Sequence, residues 1–355
     1  MLSIILPSYN ERESICRTID EIIFVLNKAK LSFEIIVCDD NSPDETWKLI
    51  KDTYSSEKNV RVIRRMSEKG LSQAVIEGFS KAKGDYLFVL DADGQHDPSI
   101  IPKMFLELKK NDLVVGSRYV SGGGVGSWSK TRIFVSRCAS YLAYPFMGKN
   151  KINDPMAGFF GLKKSLFNKL NLDVKGYKIL LAIILASKRK LKIKEVPYVF
   201  RTRTAGESKL GFKVIFEYIL MLMKFFISSN KELLTFAIVG FLGTIVNLLV
   251  MFLSVDIVHL PVLLSSAIAV EVSIIHNFLL NNFWTFTKRS ISSSLFSRFL
   301  RFNFISLISL LITLVVVWLF TTYTSMWYLI AQAVGILLGF VINFLFNSRW
   351  VFKSE

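Results

Sequence analysis

The sequence predicts a two-part chain. An α/β domain with a mostly parallel, doubly wound sheet comes first, then an interfacial helical segment and a four-helix transmembrane domain. Three observations predict it. Short apolar runs alternate with helical patterns through the first part of the chain, as in doubly wound sheets. Charged residues are frequent up to about Glu232, whereas 302–348 contains no Lys, Arg, Asp, Glu or His. The apolar run 86–90 stops at Asp91-Ala92-Asp93-Gly94-Gln95-His96-Asp97, an acidic turn where such sheets bind ligands. The expected division is 1–208, 209–231 and 232–355.

Taken in order, 2–6 reads as a buried first strand ending at Pro7, followed by Ser8-Tyr9-Asn10-Glu11 and a helical pattern through Ile15, Ile19, Ile22 and Leu26. A second strand, 33–38, ends at Asp39-Asp40-Asn41-Ser42-Pro43-Asp44. A helix carrying Trp47 and Ile50, a short strand at 59–63, a helix at 70–80 and the strand 86–90 follow. Strands at 113–115 and 192–196 and a helix at 128–144 complete the pattern. No GxGxxG follows the first strand, so a dinucleotide cofactor is not indicated.

The acidic turn carries the chemistry. Asp91 and Asp93 can converge once the chain turns, and buried carboxylates repel unless a cation lies between them. All-oxygen ligands on a turn suit Mg2+ or Mn2+, with sites left open for substrate phosphates. A solvated acidic turn is the alternative. Asp39 and Asp40 can accept hydrogen bonds from a ribose diol or a base edge, or else cap the next helix. Arg64, Arg65 and Lys69 could neutralise phosphate or form a solvated basic turn. Arg118 falls at a sheet edge, with Arg132 and Ser136 four apart on one helix face beyond a glycine-rich loop. Asp154 either hydrogen-bonds an acceptor or braces the floor of the site. Arg201 and Arg203 point to opposite sides of an extended segment, so one of them is expected to face the site.

Hydrophobic content is 52%, mean hydropathy +0.42 and net charge +16. Anionic lipid headgroups account for the basic excess, and no nucleic-acid partner is expected. Three cysteines in separate contexts form no metal or disulfide pattern. The first residues run into a strand and do not read as a signal peptide. Over 211–230, Lys213, Glu217 and Lys224, with Lys231, fall within about 40° of one another on a helical wheel, and most of the remaining surface is apolar. This predicts an amphipathic helix in the interface, the alternative being a helix of the domain core. Four spans are expected, at 233–254, 260–284, 302–322 and 327–348. Lys231, the link with Lys288, Arg289, Arg298 and Arg301, and the end with Arg349 and Lys353 carry the basic residues. Basic residues favour the cytoplasmic side, which puts the catalytic domain and both termini there. Asn277-Phe278-x-x-Asn281-x-x-Trp284-x-Phe286 repeats as Asn343-Phe344-x-x-Asn347-x-x-Trp350-x-Phe352, suggesting two related hairpins. Glu271 and His276 are costly in a span and read either as a structural pair or as part of lipid handling.

These segments resemble the inverting glycosyltransferases of family 2, and more closely the polyprenyl-phosphate (dolichyl-phosphate) mannose synthases with a GtrA-like membrane domain. The matching residues are Pro7-Ser8-Tyr9-Asn10-Glu11, Asp39-Asp40-x-Ser42-x-Asp44, Asp91-Ala92-Asp93-x-Gln95-His96, Gly116-Ser117-Arg118-Tyr119, Asp154-Pro155-x-x-Gly158-Phe159 and Gly206-x-Ser208-Lys209-Leu210. Ala157 stands where many relatives carry Ser. The resemblance implies a GT-A-type (Rossmann-like) domain binding a nucleotide diphosphate sugar, GDP-mannose being favoured. Pro7, Tyr9, Asn10, Glu11, Asp39, Asp40, Asp91, Ala92 and Asp93 would hold that donor. Asp91, Asp93 and Gln95 would hold Mg2+ or Mn2+. Arg118, Arg132, Ser136 and Arg203 would grip the phosphate of a polyprenyl or dolichyl acceptor. The implied reaction is in-line and inverting, giving a β-linked mannosyl phosphate. Glucosyl or other hexosyl transfer from a UDP-sugar is the alternative within enzymes, and a flippase or transport accessory the alternative outside them. The QxxRW motif of processive synthases is absent, against polymer synthesis.

Overall fold

The structure is a computed structural model describing residues 1–66, 69–170, 172, 178–187, 189–201, 212–324 and 326–353. The chain falls into two compact units, Met1–Phe226 and Ile227–Glu355. In the first, alternation of strand and helix patterns gives β1 (Leu2–Ser8), α1 (Ile15–Lys28), β2 (Phe33–Asp39), α2 (Thr46–Thr53), β3 (Val60–Arg64), α3 (Leu71–Lys81) and β4 (Tyr86–Val89). Then follow α4 (Ile101–Lys110), β5 (Leu113–Ser117), α5 (Lys130–Met147), β6 (Phe160–Lys163), α6 (Lys164–Phe167), α7 (Ile179–Ala186), β7 (Ile193–Pro197) and α8 (Phe212–Ser229).

The sheet has seven strands in the order β3-β2-β1-β4-β6-β5-β7. β1 pairs in parallel with β2 and β4, and β5 in parallel with β7. Both faces of the sheet are covered, so β1 and β2 are buried along their whole length rather than at alternate residues. β6 runs antiparallel between β4 and β5. This strand, just beyond the polar turn 153–159, is not foreseeable from the chain, because its short apolar run lacks any period that separates strand from helix. Strand order reverses between β1 and β4, which opens a crevice at their C-terminal ends. The acidic turn after β4 stands at that crevice.

α8 joins the two readings of segment 209–231. Tyr218 and Leu222 are buried against α5, where the Tyr218 hydroxyl donates to the Ala139 carbonyl at 2.6 Å. Phe225 packs edge-on to Phe146. Its outer side exposes Ile215, Phe216, Ile219, Leu220 and Met223. Such an apolar patch is what an interfacial helix presents to lipid.

The second unit holds α9 (Lys231–Phe252), α10 (Val262–Leu280), α11 (Leu295–Tyr323) and α12 (Tyr328–Phe346). With their π-helical ends they give four stretches long and apolar enough to cross a membrane: Lys231–Ile257, Val262–Thr285, Leu295–Tyr323 and Leu329–Val351. The third begins earlier than expected. Ser294 caps it, its hydroxyl accepting from the Ser297 amide at 3.3 Å, so Arg298 and Arg301 lie within the helix and not in the link before it. Arg298 donates to the Asn282 side-chain oxygen and Arg301 lies over Trp350, keeping both charges at the helix end. The repeat is visible in three dimensions. Phe286 and Phe352 stack at 4.5 Å, and each amide closes a matching π turn on Asn281 or Asn347 at 2.9 Å. Arg289 ties the unit together, bonding the Glu232 carboxylate at 2.9 Å and the Phe352 carbonyl at 2.8 Å. Glu271 is exposed on the outer surface, and His276 pairs with its neighbour Asn277 at 3.2 Å.

β6 owes its close fit against β4 to Gly161: a Cβ there would meet the Phe88 ring at 2.6 Å. Gly161→Ala is expected to cost about 1–3 kcal/mol through overpacking, read as a lowered thermal midpoint of the full chain in detergent.

Candidate active site

The turn after β4 is held from three sides. The Thr18 hydroxyl donates to the Ala92 carbonyl at 3.2 Å. The Gln95 amide nitrogen of the backbone donates to Asp93 Oδ1 at 3.1 Å, a local turn that Gly94 completes with φ +72. Gln95 and Arg201 clasp each other: the Arg201 amide donates to the Gln95 carbonyl at 2.9 Å, and Gln95 Nε2 donates to the Arg201 carbonyl at 3.2 Å. Gln95 Oε1 is thereby the acceptor atom of that side chain. The Arg201 guanidinium bonds Glu21 at 2.7 Å and Asp97 at 2.8 Å.

Asp91 Oδ2 lies 3.1 Å from His96 Nε2, and His96 Nδ1 lies 2.9 Å from the Tyr198 hydroxyl. His96 is buried among Phe159, Tyr198 and Phe200. A Cβ on Gly158 would come within 2.9 Å of Asp91 Oδ2, so only glycine leaves the carboxylate its place. Burial raises the Asp91 pKa, but the His96 hydrogen bond and the charges of His96, Lys178 and Arg118 outweigh it and hold the carboxyl below its ordinary value. Its ionised form therefore favours the folded state above the ordinary carboxylate range, and that contribution is lost as pH falls through the depressed pKa.

Asp91, Asp93 and Gln95 offer two carboxylates and an amide oxygen on one short turn, a hard all-oxygen donor set that fits Mg2+ or Mn2+. Among the described residues no cluster of three or more His, Cys, Asp or Glu side chains surrounds one point.

The loops expected to hold a nucleotide flank this turn. Asn10 takes φ +58, and its amide donates to the Ser42 hydroxyl at 3.0 Å, while the Glu11 amide donates to Thr46 Oγ1 at 3.2 Å. Tyr9 carries Lys69 at 5.0 Å from its ring centre. Asp39 is fully buried. Its Oδ1 accepts from the Ser42 amide at 2.8 Å, and its Oδ2 from Ser8 at 2.9 Å and Ser42 at 2.6 Å. It thus braces the Pro7–Ser8 end of β1 against the turn after β2. Asp40 is held by Arg65 and by the Gly70 amide at 2.7 Å. Arg65, offered above as a phosphate neutraliser, is buried and paired with Asp40 and Glu77. Arg64 rests on Trp47 and bonds Asn41 at 2.8 Å. The expectation fails for Arg65 because a buried guanidinium needs its carboxylates more than a surface phosphate.

Beyond β5 the structure gathers Arg118, Arg132 and Ser136. Arg118 is buried and forks onto Asp154, Nε at 2.8 Å and Nη2 at 2.7 Å. Both guanidiniums lie on Trp128, Arg118 at 5.0 Å and Arg132 at 4.0 Å from the ring. The buried Trp128 indole N–H has no acceptor among the described residues. Tyr119 donates its hydroxyl to Ser136 at 2.8 Å. Of the two readings of Asp154, the geometry selects the brace. Arg203 lies outside the described residues. Lys178, just before α7, feels Asp91, Arg118 and Asp154. Burial and Arg118 lower its pKa against the pull of the two carboxylates, and the net shift is downward.

His96, Tyr198, Trp128 and Lys178 carry no role in the sequence reading, whereas Arg201, one of the two arginines of which one is expected to face the site, clamps the turn. His96 had a signal, as a histidine within the acidic turn itself. Tyr198, Trp128 and Lys178 lie far from that turn in sequence and carry no motif, so only the sheet topology brings them to the crevice.

Residues 3–170 match the model of glycosyl transferase family 2, and 235–352 that of the GtrA/DPMS transmembrane domain. The chain is 40% identical to a dolichol-phosphate mannosyltransferase of Pyrococcus furiosus over 98% of both proteins. It is 36% identical to that of Saccharomyces cerevisiae over 63% of this chain and 86% of the yeast protein. Among solved structures, mannosyl-3-phosphoglycerate synthase of Rubrobacter xylanophilus superposes with a TM-score of 0.51 at 20% identity, covering 65% of this chain and 74% of that one. This last likeness establishes the GT-A-type fold alone.

Asp154→Asn leaves the buried Arg118 charge without its carboxylate, so it is expected to cost about 3–5 kcal/mol. Thermal unfolding of the full chain reads the loss. The double variant Arg118→Met with Asp154→Leu should recover most of it, since replacing both charges removes the desolvation penalty.

Proposed function

Because the chain belongs to the dolichol-phosphate mannosyltransferase family of glycosyltransferases, we propose that it transfers mannose from GDP-mannose to dolichyl or a related polyprenyl monophosphate. The products are the β-linked mannosyl phosphate lipid and GDP. The observation that carries this reading is the meeting of two chemistries in one unit. An oxygen-donor turn formed by Asp91, Asp93 and Gln95 serves one phosphate, and two guanidiniums on Trp128 serve another. Catalysis is assigned to residues 1–208, with 209–231 as a connecting interfacial segment and 232–355 as the membrane domain.

The donor lies across the C-terminal ends of β1, β2 and β4, with the Pro7-Ser8-Tyr9-Asn10-Glu11 loop against its nucleotide. Asp39 and Asp40 support the base and ribose pocket, chiefly by fixing the loops that form it. Ala92 contributes backbone between Asp91 and Asp93. Mg2+ or Mn2+, when bound, would be held by Asp91, Asp93 and Gln95 and would supply Lewis-acid stabilisation of the diphosphate leaving group. His96, itself held by Tyr198, fixes the orientation of Asp91 for that task.

The acceptor phosphate is drawn to Arg118, Arg132 and Arg203. Asp154 occupies one edge of the Arg118 guanidinium, so this residue meets phosphate through Nη1. Arg132, Ser136 and the Trp128 indole N–H complete the contact. Two like charges on one indole repel, and a phosphate dianion relieves that repulsion. Lys178 stands between the Asp91 turn and the Arg118 pair and screens the two phosphates from each other. The acceptor oxygen is already anionic near neutral pH, so attack at the anomeric carbon needs no strong general base. Displacement of GDP in line inverts the configuration. Basic residues near three of the span ends support a cytoplasmic position for the catalytic unit and both ends, where nucleotide sugars are made.

Three outcomes test this. A panel of radiolabelled nucleotide sugars with a defined polyprenyl phosphate should give lipid product from GDP-mannose, and product from UDP-glucose alone would overturn the donor assignment. Asp93→Ala should abolish transfer at every Mg2+ or Mn2+ concentration. Arg132→Ala should raise KM for the lipid phosphate about tenfold or more, the loss of one charge-assisted contact, with donor binding measured by calorimetry unchanged.

A further inference from the structure

Arg201 lies four residues beyond the end of β7 and 106 residues after Gln95, yet the two are bonded through both backbone and side chain. β7 is an edge strand three places from β4 in the sheet, so only the fold brings this segment to the turn after β4. Gln95 is 7% exposed. Its backbone amide donates to Asp93 Oδ1 at 3.1 Å, its carbonyl accepts from the Arg201 amide at 2.9 Å, and its Nε2 donates to the Arg201 carbonyl at 3.2 Å. Among the described residues, Oε1 is the polar atom of Gln95 that these bonds leave open.

The two ends of a primary amide are nearly alike in shape, and its last torsion is broad. Only the oxygen can ligate a cation, since the NH2 group donates and does not accept. A cation site that uses Gln95 therefore needs a neighbour that tells the ends apart. A carbonyl can only accept, so the Arg201 carbonyl holds Nε2 and leaves Oε1 directed elsewhere. That carbonyl is held in turn by the side chain of the same residue. Arg201 Nη1 bonds Glu21 of α1 at 2.7 Å, and Nη2 bonds Asp97 of the acidic turn at 2.8 Å. These ion pairs add little to stability. The guanidinium is 39% exposed and its carboxylates 32% and 30%, so water screens them. What the planar fork supplies is geometry, one group joined to two carboxylates from different elements.

We propose that Arg201 is a positioning residue for the cation site. By pinning its own carbonyl between α1 and the acidic turn, it fixes Gln95 with the side-chain oxygen available as a ligand beside Asp91 and Asp93. This role rests on the reading of the turn as the Mg2+ or Mn2+ site. Arg201 acts through Gln95 and is assigned no contact with substrate. Its charge opposes its position, because a positive group near a cation weakens binding. Removing the side chain therefore has two effects of opposite sign. Loss of the charge tightens binding of a cation, and loss of the position weakens it.

The test titrates Mn2+ alone into the full chain in detergent and follows the free ion by electron paramagnetic resonance. Arg201→Met should weaken Mn2+ binding about tenfold, the usual effect of removing the support of a ligand. Gln95→Ala should weaken it at least as much. The double variant should bind no more weakly than Gln95→Ala alone, because Arg201 acts only through that side chain. Thermal unfolding of the same samples should leave Arg201→Met close to the parent, as expected for exposed ion pairs. If Arg201→Met does not fold, Arg201→Lys replaces it. Lysine keeps the charge but reaches one carboxylate at a time, so it should weaken binding by less. Unchanged or tighter binding in the folded Arg201 variant, unchanged binding in Gln95→Ala, or a further loss in the double variant overturns the proposal. A parent that binds no Mn2+ overturns the cation site itself, a failure distinct from a parent that binds and an Arg201 variant that binds equally well.

Discussion

The pair of opposite charges taken out of water, Arg118 and Asp154, sets the shape of the crevice beyond β5. Arg118 follows β5, and Asp154 precedes β6, so one bidentate contact fixes the loops at the ends of two neighbouring strands. Neither charge tolerates the interior alone. The pair therefore locks Arg118 in a single pose, and Trp128 is laid between that pose and Arg132. The same contact limits what Arg118 can do. With Nε and Nη2 engaged, a ligand meets only its remaining edge.

The turn after β4 is organised by a different device. The Gln95 amide bonds Asp93 Oδ1 and curls the chain, and Arg201, beyond the end of β7, clamps the turn. Asp91 is kept ionised against its burial by His96, Lys178 and Arg118. The two halves of the site are thus electrostatically joined. Acidic groups that suit a cation and basic groups that suit phosphate lie close enough to set each other's pKa values. This is the charge arrangement that the proposed transfer between two phosphates requires.

In the membrane unit the same physics acts with lipid as solvent. Arg289 satisfies carbonyls at the end of the fourth span that a π turn leaves open, and Phe286 and Phe352 stack where the two hairpins meet. The internal repeat makes these contacts occur in pairs.

Alternation of strand and helix, the charge-free stretch 302–348, the acidic turn and the asparagine–tryptophan repeat were legible in the chain because each is a local pattern with its own period or spacing. They sufficed for the parallel sheet and the four spans. Segment 160–163 was not, since four apolar residues carry no period and their antiparallel place depends on β4 and β5. Arg65 looked like a phosphate ligand and proved to be an interior ion-pair partner, because sequence shows a charge but not its burial. Arg118, Arg132 and Ser136 were named correctly as neighbours, yet the engagement of Arg118 by Asp154 depends on two strand ends meeting. Sequence by itself determined the classes of structure and the chemical types at the site, for those follow from short-range patterns. Tertiary structure alone decided which charges are already neutralised, which face a ligand and which distant residues, His96 with Tyr198, Trp128 and Lys178, share the crevice. Those depend on desolvation and long-range contact, and neither is written in local order.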